Sequence, residues 1–98
     1  MTYLDAVAAE IKDAVSADAL PAEDATSLFL SYAVLLLAKG ENVTREDVHN
    51  AWVAWMESKG EEHESMIPFA ELPLDTQGED SPFVVAIRSV ARKLEQEP

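Results

Sequence analysis

The chain has no cysteine. That excludes disulfides, thiolate metal sites and cysteine nucleophiles together, and it fits a reducing compartment such as the cytoplasm. Basic residues are scarce: seven Lys and Arg stand against nineteen Asp and Glu, a formal net charge of −12 at pH 7. Binding the backbone of a nucleic acid or an anionic membrane surface needs a basic footprint, so neither is expected. The apolar run Leu28–Ala38 is eleven residues long, well short of the roughly 20 needed for a membrane span. No signal peptide is expected either, because Asp5 and Glu10 replace the basic, then apolar, lead that one requires. There is no glycine-rich phosphate loop, no HExxH and no Ser/His/Asp grouping. No catalytic residue, cofactor or enzymatic reaction is therefore expected.

What remains is a globular composition, 48% hydrophobic over 98 residues, enough for one core. Leu4, Val7, Ala8, Ile11, Ala14 and Val15 recur at helical spacing, predicting a helix over Met1 to Ala17 with Thr2 as its N-cap. Pro21 to Asp24 puts proline and acids at the start of a second helix, which Gly40 closes. Its second half is apolar nearly all round, which marks it as the central helix. Thr44 and Asp47 form a capping-box pattern opening a third helix, whose apolar face is Val48, Ala51, Trp52 and Trp55, with Met56 beside it, and Gly60 stops it. Pro68 and Pro73 push the residues before them toward extended conformations, predicting a strap pinned by Ile67, Phe69, Leu72 and Leu74. Asp75 to Asp80 reads as a turn or short irregular helix. Ser81-Pro82 opens the last helix, N-cap first, and Glu95 to Pro98 are expected to fray. The fold class is all-α: a single domain, residues 1–98, of four main helices with an extended proline-bracketed strap between the third and fourth.

Charge is unevenly spread. Between Glu41 and Asp80 eleven acids face only Arg45 and Lys59, a net −9. Arg88, Arg92 and Lys93 make the last helix the one basic cluster.

The segment His49–Pro73 holds both histidines and both tryptophans. His49 and Trp52 are three apart and so neighbours on one helical face, where Trp52 can serve as a stacking platform and His49 as a polar contact for a ligand. The alternative is that Trp52 anchors the core while His49 holds a loop carbonyl. Trp55 lies one step off the Trp52 direction and is expected to be partly exposed. A metal site built from His49, His63 and the nearby glutamates is disfavoured, because the histidines are fourteen apart and zinc needs three or four ligands at defined spacing. No carboxylate is placed in surroundings apolar enough to suggest a raised pKa, so a hydrolase built on either histidine has no support.

Read together, His49-Asn-Ala-Trp52, then His63, then Pro68-Phe69-Ala70-Glu71-Leu72-Pro73, then Asp80 opening a helix, resemble the pattern of the ryanodine-receptor repeat (RyR) domain, over residues of about 44–95. The connection from the helix to His63 is shorter than that family's. Glu64 stands where proline is common, Phe69 where Tyr or Trp is usual, and Ser81 where arginine is common. The whole chain is also similar to small proteins of actinobacteriophages and their hosts. The resemblance implies a noncatalytic helical module that recognises a nucleotide-derived small ligand or a host protein. Its candidate ligand-binding residues are His49, Trp52, His63, Phe69, Arg88 and Arg92, with base stacking at Trp52, polar contacts from His49 and His63, and phosphate contacts from Arg88 or Arg92; the alternative is that Pro68, Phe69 and Leu72 serve to fasten the strap. A different class of function also fits the charge: an acidic protein-interaction or nucleic-acid-mimicking regulatory protein with no small ligand. A pocket beside Trp52 lined by both histidines and a basic side chain favours the first; a Trp52 packed on all sides favours the second.

Overall fold

The computed structural model describes residues 2–96; the expected start of the first helix at Met1 and the expected fraying of Glu97 and Pro98 lie outside them. Four long helices and one short one form the domain: α1 (Tyr3–Ala14), α2 (Thr26–Lys39), α3 (Arg45–Ser58), α4 (Leu74–Gly78) and α5 (Ser81–Gln96). Among the described residues there is no strand, and no helix is long and apolar enough to cross a membrane.

The caps follow the sequence closely. Thr2 and Asp5 close a complete capping box at α1, and Thr44 and Asp47 do the same at α3. At the far end of α3, Gly60 takes φ +71°. There its N–H bonds the Glu57 carbonyl at 3.0 Å, and the Glu61 N–H bonds the Met56 carbonyl at 3.1 Å. This pair of bonds is the Schellman arrangement that a left-handed glycine permits. Gly40, at φ +57°, closes α2.

Helix α2 packs against α1, α3 and α5, the central place its composition predicts. Its Leu28, Phe29, Tyr32, Ala33 and Leu36 are buried against Ile11, Val48 and Ile87 of the other long helices. It is not enclosed on every side, because Val34 and Leu37 remain 54% and 49% exposed. Phe29, Tyr32 and the α5 residue Phe83 form an aromatic cluster with centroids 5.4 to 6.3 Å apart.

Several boundaries differ from expectation. Helix α1 stops at Ala14, and α2 begins at Thr26 rather than at Pro21. Asp24 explains the later start: its Oδ1 accepts from the Thr26 hydroxyl at 2.6 Å and the Thr26 N–H at 3.0 Å, holding residues 24–26 in a side-chain-closed turn. Those bonds also keep the Asp24 carboxyl below its ordinary pKa. The carbonyl accepting the first bonds of α5, from Phe83 and Val84, belongs to Asp80. Asp80 therefore holds the capping position expected of Ser81, and Pro82 falls within the first turn. Helix α5 also continues through Glu95 and Gln96.

The strap is pinned differently from its prediction. Leu72 is buried and Phe69 half-buried, but Ile67 is 40% and Leu74 83% exposed. Phe69–Glu71 coils into a single 3-10 turn between the prolines. Much of the fastening is polar. The Gln77 amide of α4 donates to the Phe69 carbonyl at 3.2 Å and the Leu72 carbonyl at 3.1 Å. His49 of α3 bonds the Ile67 carbonyl at 2.7 Å.

Candidate functional site

The strap and α4 do not seal onto the groove between α2 and α3. They roof a cleft of ≈ 270 Å³ that lies beside Trp52. This is close to the lower end of the ~300–1,000 Å³ typical of small-molecule sites.

Helix geometry shows why the opening is notable. At about 100° per residue, Trp52 points to the middle of the arc marked by the buried Val48, His49, Trp55 and Met56. A side chain in that direction should be the best covered on the helix. Trp52 is only half-buried, because a cleft faces it where core atoms would otherwise be. Trp55 is the buried tryptophan, 6% exposed, contrary to its expected exposure. Its indole N–H donates to the Ser27 hydroxyl at 2.9 Å, and the Lys59 ammonium sits 3.6 Å above its ring centroid. Trp55 is long enough to cross to α2 and find a partner for its one polar atom, which period alone does not show.

Of the six candidate residues, three converge on the cleft. His49, Trp52 and His63 all line it. The Trp52 ring lies 5.9 Å from that of His49 and meets His63 edge-on at 5.4 Å. His49 is 3% exposed. A carbonyl only accepts, so the bond to Ile67 requires a proton on His49 Nε2. His49 therefore holds a loop carbonyl, and its ring also forms cleft wall. His63 Nδ1 accepts from the Ser65 N–H at 3.0 Å, leaving Nε2 as its remaining polar atom.

The other three candidates are elsewhere. Phe69 lies 6.0 Å from His49 without lining the cleft, with the Arg45 guanidinium 5.9 Å from its ring centre. Arg88 Nε donates to the Val43 carbonyl at 3.0 Å, and Arg92 pairs with Glu41 at 2.9 Å. Neither arginine lines the cleft, nor does any lysine.

Two lining residues carry chemistry the sequence pattern did not single out. Tyr32, on the cleft floor, is 1% exposed. Its hydroxyl has no hydrogen-bond partner among the described residues, yet no fully buried polar atom is left unpaired. The hydroxyl must therefore open into the cleft. Burial, reinforced by the Asp80 charge, pushes its pKa upward. Asp80 is half-buried, and its carboxylate accepts no hydrogen bond and joins no ion pair among the described residues. Burial raises its pKa from 3.8 to about 6; the His49 and Arg45 charges oppose the rise and Glu79 adds to it. This corrects the expectation that no carboxylate has a raised pKa. The available signal was the place of Asp80 as the acid that ends the histidine-to-proline pattern. Tyr32 lies inside the apolar run Leu28–Ala38, whose pattern carries no sign of a hydroxyl facing a cleft.

Among the described residues no group of three His, Asp or Glu side chains converges as metal ligands would. The family described as Domain of unknown function (DUF7701) matches residues 2–92. Comparison with curated proteins and with solved structures gave no match.

Proposed function

The chain belongs to that family, whose description assigns no activity, and we propose that it is a noncatalytic binding module that takes a small ligand in the cleft beside Trp52. The observation that carries this reading is a half-buried tryptophan at the centre of a helix's buried arc, facing an opening rather than core. The residues resembling the RyR repeat support it, since His49, Trp52, His63, Leu72 and Asp80 all line that opening. Several polar groups, among them the Tyr32 hydroxyl and the Asp80 carboxylate, converge there with aromatic walls, as small-molecule sites require. A cysteine-free, strongly acidic chain fits action in a cytoplasm.

The test is a small-fragment screen of mixed charge against the full chain, read by backbone and indole amide NMR. Shifts concentrated on the Trp52 and Trp55 indoles, Ser65 and Thr76 are the expected result. A library that leaves all four unmoved at millimolar concentration overturns the reading.

The −9 segment supports a second reading, an acidic surface that engages a basic protein. Its Glu57, Glu61, Glu62 and Glu64 are exposed around the end of α3. It predicts association that weakens steeply with salt and is indifferent to substitutions in the cleft.

A further inference from the structure

We propose that the cleft accepts an organic ammonium ion, with the charged nitrogen at Asp80 and Glu79 and the carbon frame against Trp52 and Phe83. This inference rests on the ligand-module reading above and names its ligand class.

Glu23, Glu79 and Asp80 line the cleft, and no lysine or arginine does. Glu23 is already paired with Lys59 at 3.0 Å, whereas the carboxylates of Glu79 and Asp80 have no hydrogen-bond or ion-pair partner among the described residues. A phosphate entering here would meet two unpaired carboxylates. The two arginines best placed by sequence to neutralise it are engaged outside the cleft, with Val43 and Glu41.

The second observation is independent of charge. The Tyr32 hydroxyl is an unpartnered polar group on a 1%-exposed residue, and it opens into the same cleft. Its oxygen has lone pairs to accept an N–H. Asp80 itself shows a complementary lack: a carboxylate partly withdrawn from water, with no donor to compensate it. A ligand ammonium supplies donors to both groups.

The third observation is the walls. Trp52 and Phe83 give the cleft aromatic sides, and cations bind favourably over such faces, indole best. The chain already makes this arrangement with its own ammonium at the cleft edge. Lys59 sits over the Trp55 ring with Glu23 and Glu61 at 3.0 and 3.5 Å. Desolvation works against that ammonium, but the Glu23 hydrogen bond and the charges of Glu23 and Glu61 outweigh it, keeping its pKa above the ordinary lysine value.

The experiment compares three probes on the full chain: tyramine, its neutral counterpart 4-ethylphenol, and AMP as an anion. Tryptophan fluorescence and the cleft amide resonances are the readouts. At neutral pH tyramine is expected to bind roughly tenfold or more tightly than 4-ethylphenol, the value of a charged hydrogen bond. That preference should shrink as pH falls below about 6, where Asp80, which His49, Arg45 and Glu79 face, takes up a proton. Asp80→Asn should abolish most of the preference while keeping the fold, since Asn serves an N-cap position as well as Asp. Tyr32→Phe, which leaves no protein group unpaired, should weaken tyramine alone. Equal binding of tyramine and 4-ethylphenol overturns the inference, as does a preference unchanged in both Asp80→Asn and Glu79→Gln. Cleft shifts with AMP and none with tyramine overturn it too, while leaving the ligand-module reading intact. If no probe and no screened fragment moves a cleft resonance, both fall.

Discussion

His49 of α3 and Ile67 of the strap, eighteen residues apart, are joined by a 2.7 Å hydrogen bond from the imidazole Nε2–H to the backbone carbonyl. The bond does two things. It satisfies the carbonyl of a residue that Pro68 biases away from helix, and it turns the imidazole so that its ring walls the cleft beside Trp52.

Removing the imidazole should therefore loosen the strap and the cleft together. His49→Ala is expected to cost ~2–4 kcal/mol, from a buried volume lost and a carbonyl left without its donor. Urea denaturation gives the loss. Hydrogen exchange at Met66, whose N–H bonds the His63 carbonyl at 3.0 Å, should accelerate well before α1 is affected. Uniform protection loss across the chain would contradict the local role.

The two tryptophans should separate cleanly. Trp55→Ala removes a 6%-exposed side chain together with its Ser27 hydrogen bond, at an expected ~3–5 kcal/mol. Trp52→Ala enlarges an existing opening and should cost less, ~1–2 kcal/mol. Thermal or urea unfolding of the two variants decides the order, and the reverse order would mean that Trp52, not Trp55, anchors the core.

The difference between these residues marks where sequence reading stops. The four long helices were legible because caps and periodicity are local: Thr2 with Asp5, Thr44 with Asp47, and Gly60 each act within a few residues. Periodicity also gave the buried arc of α3. It could not show that the middle of that arc faces a cleft, because that depends on how far the strap stands off α2, a matter of chain length and of side chains from α2 to α5 and the segments between them. For the same reason Asp80 was legible as the end of a motif but not as a carboxylate half out of water. Its pKa is set first by burial and then by His49, Glu79 and Arg45, and all of these but the adjacent Glu79 reach it only through folding.

Gln77 has a role that no pattern suggested. Its amide donates to both the Phe69 and Leu72 carbonyls, closing the 3-10 turn from outside. Gln77→Ala is expected to destabilise by ~1–2 kcal/mol, the usual range for leaving partly buried acceptors unpaired. Gln77→Glu should be worse near neutral pH, since a carboxylate cannot donate to a carbonyl and adds a charge beside Glu79 and Asp80. The chemical denaturation midpoint reports both. Equal stability of the Ala variant and the parent would show that Leu72 burial alone holds the strap.

Asp80 yields the prediction with the most direct sign. Its folded pKa of about 6 lies above the 3.8 of an ordinary aspartate. Between those values the folded chain holds a proton that the unfolded chain releases, so stability from this group falls as pH rises through the window and stays low above it. The difference corresponds to ~3 kcal/mol, and solvent screening of a half-exposed group reduces it to ~1–2 kcal/mol. Asp80→Asn removes the ionisation while keeping a capping residue before α5. The variant should melt at a higher temperature than the parent at neutral pH and at nearly the same temperature near pH 4. A loss of stability at neutral pH would mean that Asp80 is held by a donor in the folded chain, and that its carboxylate is not free to receive a cation. A gain means that the chain carries an unpaired carboxylate at a cost to its own stability, as residues kept for binding commonly are.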